Sequence, residues 1–240
     1  MPPWLSLMIE SLPSLLWACL LFTVPLTLLS FVLGLGVGFV AAVTRLFAPW
    51  PFAAVVRFYV WIIRGTPLLV QLIVIYTGLP QFGIRLSVLE SALIGLILNE
   101  AAYLAEIVRA GVGAVPAGQV NAARAVGMRE PQIMRYIVMP QALRIIIPPL
   151  GNSVNGLLKT TSVTSVISME ELLRRTQVLI QEKFMVLELF AVAAIYYLVL
   201  TTLWDFVQRR IEKRYGRAYQ QVSTSKSSKM PKIGAPAEQR

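Results

Sequence analysis

The chain has 240 residues, of which 56% are hydrophobic and 14% charged, with a formal net charge of +10. That balance excludes an ordinary soluble domain and points to a protein embedded in a membrane. It contains no histidine and a single cysteine, Cys19, which excludes His-based catalysis, His-ligated zinc and a disulfide framework.

The basic residues are placed rather than spread. Arg109, Arg124, Arg129, Arg135 and Arg144 lie in or beside a central polar stretch, and Arg209, Arg210, Lys213, Arg214 and Arg217 follow the last apolar run directly. This is the arrangement of cytoplasmic flanks under the positive-inside rule, not a grouped basic face for nucleic acid. Membrane lipid is therefore an expected partner and nucleic acid is not. The first basic residue is Arg45, so the N-terminus is predicted outside and the C-terminus inside. The first apolar segment lacks a basic leader and is predicted to stay in the membrane.

In chain order, the first span is predicted over about 15–43, with Pro25 inside it and Cys19 as a packing residue. Gly34 and Gly38 form a G-x-x-x-G that lets a neighbouring helix approach closely. A short inner loop over 45–57 holds Pro49 and Pro51. The second span follows over about 58–79, with a local irregularity expected at Arg64-Gly65-Thr66-Pro67. The third span, about 87–108, carries Glu90, Asn99, Glu100, Tyr103 and Glu106. Three carboxylates in one membrane helix predict burial in the bundle or a cavity lining, and Glu106 and Arg109, three apart, are predicted to pair structurally.

A polar loop over about 110–144 is predicted to be cytoplasmic. The fourth span begins near Ile145, with Pro148 and Pro149 in its first turns and Asn152, Ser153, Asn155 and Lys159 along it. An outer amphipathic segment over 170–183 balances Arg174, Arg175 and Lys183 against Glu170, Glu171 and Glu182. A fifth span over about 187–207 ends at Trp204, expected at the membrane interface. The tail from 216 to 240 is basic and reads as disordered. The predicted fold is all-α, a polytopic membrane protein of about five transmembrane helices. It has no internal repeat of the secondary-transporter kind.

Within the polar loop, PAGQVNAARAVGM places the pair Ala122-Ala123 ahead of Gly127, with Ala123 four residues before it. Small faces on a short helix fit a partner's groove, and the glycine can take the positive φ that ends the helix. With Ile137 and Pro140 downstream, this order resembles the cytoplasmic EAA loop of ABC importer permeases. RGTPLLVQL (64–72), YTGLPQFGI (76–84), AAYLAEIVRAGV (101–112), MPQALRIIIPPLGN (139–152) and KTTSVTSVI (159–167) carry the resemblance further, to the membrane subunit of polar amino-acid importers. It covers about residues 10–215, the predicted membrane domain being 1–215. Glu100-Ala101-Ala102 spells the motif by chance, because Glu106 stands where its glycine belongs. The counterpart is Asn121-Ala122-Ala123, with Asn121 in place of the usual glutamate.

The resemblance implies a permease subunit of a bacterial inner membrane importer, moving a polar amino acid, with a lean towards cystine from GLPQFGI and LNEAAY. It implies a cytoplasmic ABC ATPase dimer, a second permease subunit, identical or homologous, and an extracytoplasmic amino-acid-binding protein as partners. Asn121, Ala122, Ala123, Gly127 and Met128 would form the coupling helix. The chain has no G-x-x-x-x-G-K-[ST] loop of its own, so ATP and Mg belong to the partner, and no cofactor, metal or catalytic residue is expected here. The substrate is a zwitterion, for which Glu100 and Lys159 are a candidate acid and base, with Asn99, Tyr103, Asn152 and Asn155 as candidate path residues. By helical rise, Glu100 and Lys159 would differ in depth by roughly 10 Å. On the residues alone, an ion-coupled carrier using Glu100 or Glu106, or a docking subunit that moves nothing, remain alternatives.

Overall fold

The computed structural model of the chain describes residues 3–216. The tail beyond Gly216 lies outside them. The described residues are helical, with no strand among them. Helix α1 (Pro3–Ala18) passes through a π-type turn, Cys19–Thr23, into α2 (Val24–Phe47). Next come α3 (Trp50–Gly65), α4 (Leu68–Ile73), α5 (Val88–Gly113), α6 (Ala117–Ala125), α7 (Glu130–Ile133), α8 (Met139–Thr160), α9 (Leu172–Lys183) and α10 (Val186–Gly216). Ser6–Phe47, Val88–Gly113 and Val186–Arg214 are each long and apolar enough to cross a membrane, and the pair α3 and α4 makes a fourth if both halves belong to one span. Helix α8, the predicted fourth span, has the length at 22 residues but carries a polar face.

Three π-type turns, at 19–23, 74–78 and 134–138, each end two residues ahead of a proline: Pro25, Pro80 and Pro140. Proline has no N–H for the carbonyl four residues back and its ring crowds that carbonyl, so the preceding turn widens to accommodate it.

Several sequence boundaries change. The predicted inner loop over 45–57 is almost all helix, because Pro49 and Pro51 sit at the start of α3, where proline is tolerated. The predicted irregularity at 64–67 is a break of 107° between α3 and α4. Two side chains satisfy its freed carbonyls: the Gln71 amide donates to Ile63 O at 2.8 Å and Thr66 O at 3.1 Å, and Thr66 Oγ1 donates to Ile62 O at 2.8 Å. Helix α8 starts at Met139, so Pro148 and Pro149 lie inside it rather than in its first turn. Glu90 is not a buried carboxylate. It is exposed and closes the α5 capping box, accepting from Ser87 N at 2.7 Å while Ser87 Oγ accepts from Glu90 N at 3.2 Å.

Helices α2 and α5 run parallel and nearly backbone to backbone. A Cβ on Gly38 would stand 2.8 Å from the Ala101 carbonyl oxygen, and one on Gly34 would stand 3.2 Å from Glu100 Cβ, whereas one on Gly36 would meet nothing. Two of the three glycines are thus required for packing. At the end of the bundle that carries α6, Ala41 and Ala42 of α2, Val60 of α3, Ala102, Ala105 and Val108 of α5, and Ala142 and Ile146 of α8 form a buried cluster. At the opposite end α1, α9 and α10 pack through Leu15, Cys19, Leu172, Leu179, Leu189 and Val192.

That second cluster is locked by a buried acid. Glu171 is fully buried and does not take part in the surface charge balance predicted for its segment. Its carboxylate caps α9, accepting from Leu173 N at 2.9 Å and Arg174 N at 2.6 Å, and receives the Tyr197 hydroxyl at 3.0 Å. Burial pushes the carboxyl up to about 7, against the pull of those donors.

Gly38→Ala should lower the stability of the detergent-solubilised protein by about 1–3 kcal/mol, since backbone must move to admit the methyl group, while Gly36→Ala should stay within about 0.5 kcal/mol of wild type. Thermal unfolding of the two variants checks this. Glu171 has a folded pKa above its unfolded one, so the stability it contributes is fully present below about pH 4.3 and is lost as pH rises to about 7. Unfolding measured from pH 4.5 to 7.5 should show that decline, and Glu171→Gln should flatten it.

Candidate functional site

Helix α6 is a nine-residue helix standing at the end of the bundle. Gly127, at φ +82°, ends it. Gly127 N–H donates to Arg124 O at 2.9 Å and Met128 N–H donates to Ala123 O at 3.1 Å, the paired bonds of a Schellman stop. Ala123 is buried and Met128 half-buried in a cluster with Val115, Ile133, Val138, Ala142 and Ile146, and the helix is seated mainly on α7 and the 134–138 turn. Gln141 Nε2 of α8 also donates to Gln119 Oε1 at 2.5 Å. Asn121, Ala122, Ala125 and Gly127 face outward, and Val126 is 78% exposed, an uncovered apolar side chain at the tip. Arg124 pairs with Glu130 at 2.6 Å, with Asn121 Oδ1 accepting a long bond of 3.4 Å from the same guanidinium. The guanidinium holds the Glu130 carboxyl below its usual range. The arrangement is a short helix with one face packed on the bundle and Ala122, Ala125 and Val126 turned away from it.

In the bundle, polar side chains meet in pairs. Glu106 of α5 takes Arg45 Nη1 of α2 on one oxygen at 2.7 Å and Arg109 Nε on the other at 3.0 Å, with Arg109 Nη2 closer still. The Glu106–Arg109 pair is therefore part of a three-charge cluster that also includes Arg45. Arg45 was legible only as a loop residue, because its partner lies 61 positions away. Asn99 Nδ2 donates to Gln71 Oε1 at 3.1 Å and so steadies the side chain that bridges the α3–α4 break. Tyr103 is exposed, with the Arg64 guanidinium 5.2 Å from its ring centroid.

Glu100 and Lys159 are not brought together. Glu100 is buried and accepts from Ser153 Oγ of α8 at 2.5 Å. Lys159 is exposed and stands six residues further along α8, about 9 Å higher and roughly 240° around the helix. It lines a cavity of about 430 Å³ with Ser162, Ala194, Tyr197, Leu198 and Thr201. Asn155 Nδ2 donates to Asp205 Oδ1 of α10 at 2.6 Å, and Asn152 Oδ1 accepts from Gln208 Nε2 at 2.9 Å. Trp204 donates its indole N–H to Gly151 O at 2.8 Å and is half-buried against α8. Asp205 and Gln208 were missed in the sequence, although polar residues inside an apolar helix are signal enough. Tyr197 was missed because its two roles, wall of the Lys159 cavity and partner of Glu171, show only in three dimensions.

The chain matches the family model of the binding-protein-dependent transport system inner membrane component over residues 34–217. It is 38% identical over 216 residues to the L-cystine transport system permease protein TcyB of Bacillus subtilis, covering 90% of this chain and 92% of that protein. It is 34% identical over 214 residues to the glutamine transport system permease protein GlnP of Escherichia coli K12, covering 88% and 94%. Among solved structures, an amino acid ABC transporter crystallised with histidines superposes with a TM-score of 0.84 at 35% identity, over 89% of this chain and 99% of that one. The methionine transporter MetNI, in inward-facing form, shares the fold at a TM-score of 0.64. The chain belongs to the binding-protein-dependent transport system inner membrane component family: it is an inner-membrane permease subunit of an ABC importer, a transport component rather than an enzyme.

Proposed function

We propose that this permease imports a polar amino acid, with cystine the first to try, and that α6 with the Gly127 stop is the element through which a partner ATPase drives it. The observation that carries the coupling assignment is the orientation of α6: Ala123 and Met128 bind it to the bundle while Asn121, Ala122, Ala125 and Val126 are left uncovered. Family membership implies an ATPase and a binding protein as partners. In this reading two ATP-binding subunits supply ATP and Mg from the cytoplasmic side, a binding protein delivers substrate from the other, and a second permease, the same or a relative, completes the path. The amino-acid substrate is supported by relatives named for cystine, glutamine and arginine transport.

Lys159 is the side chain of choice for the substrate carboxylate, because its ammonium borders a cavity that also offers Ser162, Tyr197 and Thr201. Glu100 is a less direct candidate, being buried behind α8 and already bonded to Ser153. Any contact of Glu100 with the ammonium of a substrate would require that bond to open. Glu106 is engaged by two arginines, which argues against a freely titrating proton site there.

Vesicles holding this chain, with candidate ATPase and binding protein added in turn, should take up a labelled amino acid only when ATP and both partners are present. Uptake driven by a proton gradient without partners would sink this reading in favour of a carrier. Gly127→Asp, which places a side chain at positive φ and a charge on the outward face, should leave the permease folded and cut ATP-driven uptake by about tenfold or more. Normal uptake by that variant removes α6 as the coupling element. Lys159→Gln should raise the KM for uptake by about tenfold with less change in the maximal rate, whereas Glu100→Gln should leave KM within about threefold. The reverse pattern would reassign the substrate contact to Glu100.

A further inference from the structure

Helix α8 lies between α2 and α10 and forms the floor of a long apolar groove. Two adjoining cavities trace it, of about 180 and 190 Å³, sharing Val154 of α8 and Trp204 of α10. The walls are Leu28, Phe31 and Leu35 on α2 and Leu200, Leu203, Val207 and Ile211 on α10. From Leu200 to Ile211 the groove runs about 16 Å, which is one leaflet of a ~30 Å hydrocarbon core. Leu28, Leu203 and Val207 are also open to the outside, at 49, 58 and 47% exposure, so the groove faces the surroundings of the bundle. The Trp204 ring is fixed in it by the bond to Gly151 O.

The groove's polar end is charged. The Asn152–Gln208 and Asn155–Asp205 bonds set the antiparallel register of α8 and α10. Continuing it, Arg144 lies about 12 Å beyond Asn152 and Arg214 about 9 Å beyond Gln208, towards the same mouth. Arg144 comes three residues before Ile147 and seven before Gly151, and Arg214 three after Ile211 and seven after Val207, so both extend the groove-lining faces of their helices. Both are exposed, and neither is in an ion pair among the described residues. Glu212, also at the mouth, is held by the Gln208 amide at 2.8 Å. Arg209, Arg210 and Lys213 are its neighbours in sequence, so with Arg214 this end of α10 carries four basic residues against one carboxylate.

We propose that this groove is a binding site for one anionic phospholipid of the leaflet at the basic end, with an acyl chain lying along α8 between α2 and α10 and its phosphate held by Arg144 and Arg214. An apolar slot of one-leaflet depth with two unpaired guanidinium groups at its mouth matches that ligand in length, polarity and charge. A second copy of this chain would cover the apolar walls but leave the two arginines without anions. The site goes beyond the transport reading and shares no lining residue with the Lys159 cavity or with α6, although Gln208 at its polar end bonds the path candidate Asn152.

The full chain, stripped of lipid in mild detergent and offered phosphatidylglycerol or phosphatidylcholine with identical chains, should retain one phosphatidylglycerol per chain in native mass spectrometry, with about tenfold preference or more. Arg144→Gln with Arg214→Gln should abolish the preference while some lipid of either kind is still retained. Val207→Trp, at a half-exposed position in the wall, should lower retention of both lipids at least about fivefold. Equal retention of the two lipids by the wild type would overturn the proposal, as would a Val207→Trp protein that keeps its lipid. A Leu203→Cys protein that forms a disulfide with its own copy in the membrane would overturn it too, by giving the groove to a second permease. Circular dichroism and ATP-driven uptake of each variant separate lipid loss from misfolding and from failure of the transport reading.

Discussion

The close approach of α2 and α5 is the contact on which the remaining structure depends. Gly34 and Gly38 strip one face of α2 of side chains, and Ala101, Ala102, Leu104 and Ala105 present the matching face of α5. In an apolar solvent, burying more hydrocarbon gives little reason for two helices to associate; van der Waals contact and polar pairing must do it. Small residues supply the first. The second follows from the register they set, because the parallel alignment that places Gly34 beside Glu100 brings Arg45 roughly a turn and a half beyond Glu106, within reach of its long side chain.

Helix α8 then serves as the common polar partner. It offers Ser153 to Glu100 on one side and Asn152 and Asn155 to Gln208 and Asp205 on the other. This explains how a helix with Asn, Ser, Gly and Lys in its second half can lie in the middle of an otherwise apolar bundle. Its polar residues are not spread around the cylinder for lipid to meet; most are bonded to side chains on α5 and α10. Lys159 differs, being exposed beside a cavity rather than matched to a carboxylate.

Much of this was legible in order along the chain. The glycine ladder, the polar third and fourth spans and the Ala-Ala-x-x-x-Gly stop are local signals, read from spacing, and the helical fold and family follow from them. What escaped was long-range. Arg45 belongs to Glu106, Gln71 bridges a break of 107°, and Glu171 is buried under Tyr197 rather than balanced by neighbouring lysine and arginine. Each of these depends on a partner more than 25 positions away or on a bend whose size no spacing encodes. The candidate acid and base, Glu100 and Lys159, meet the same limit: depth follows from helical rise, but azimuth depends on which neighbour each face chooses, and the structure holds the two apart.

The seating of α6 bears on how a force applied there would travel. Ala123 and Met128 pack into the same cluster that holds the ends of α2, α3, α5 and α8 together through Ala42, Val60, Ala105 and Ala142. That cluster is built mainly of alanine and β-branched residues, which have few rotamers in which to absorb a displacement. A push on the outward face of α6 would therefore be passed to the helix ends as a rigid-body shift. Close-packed interiors are poorly compressible, and the Gly127 stop, being pinned by two backbone bonds, acts as a fixed corner rather than a loose hinge. The α3–α4 break lies next along that route, through Val60 and Ile63, and it is bridged by the Gln71 amide and the Thr66 hydroxyl. A bend bridged by two side chains rather than by a backbone ladder is a soft joint in an otherwise stiff assembly, and it is where a shift of the helix ends would be converted into a change in the path.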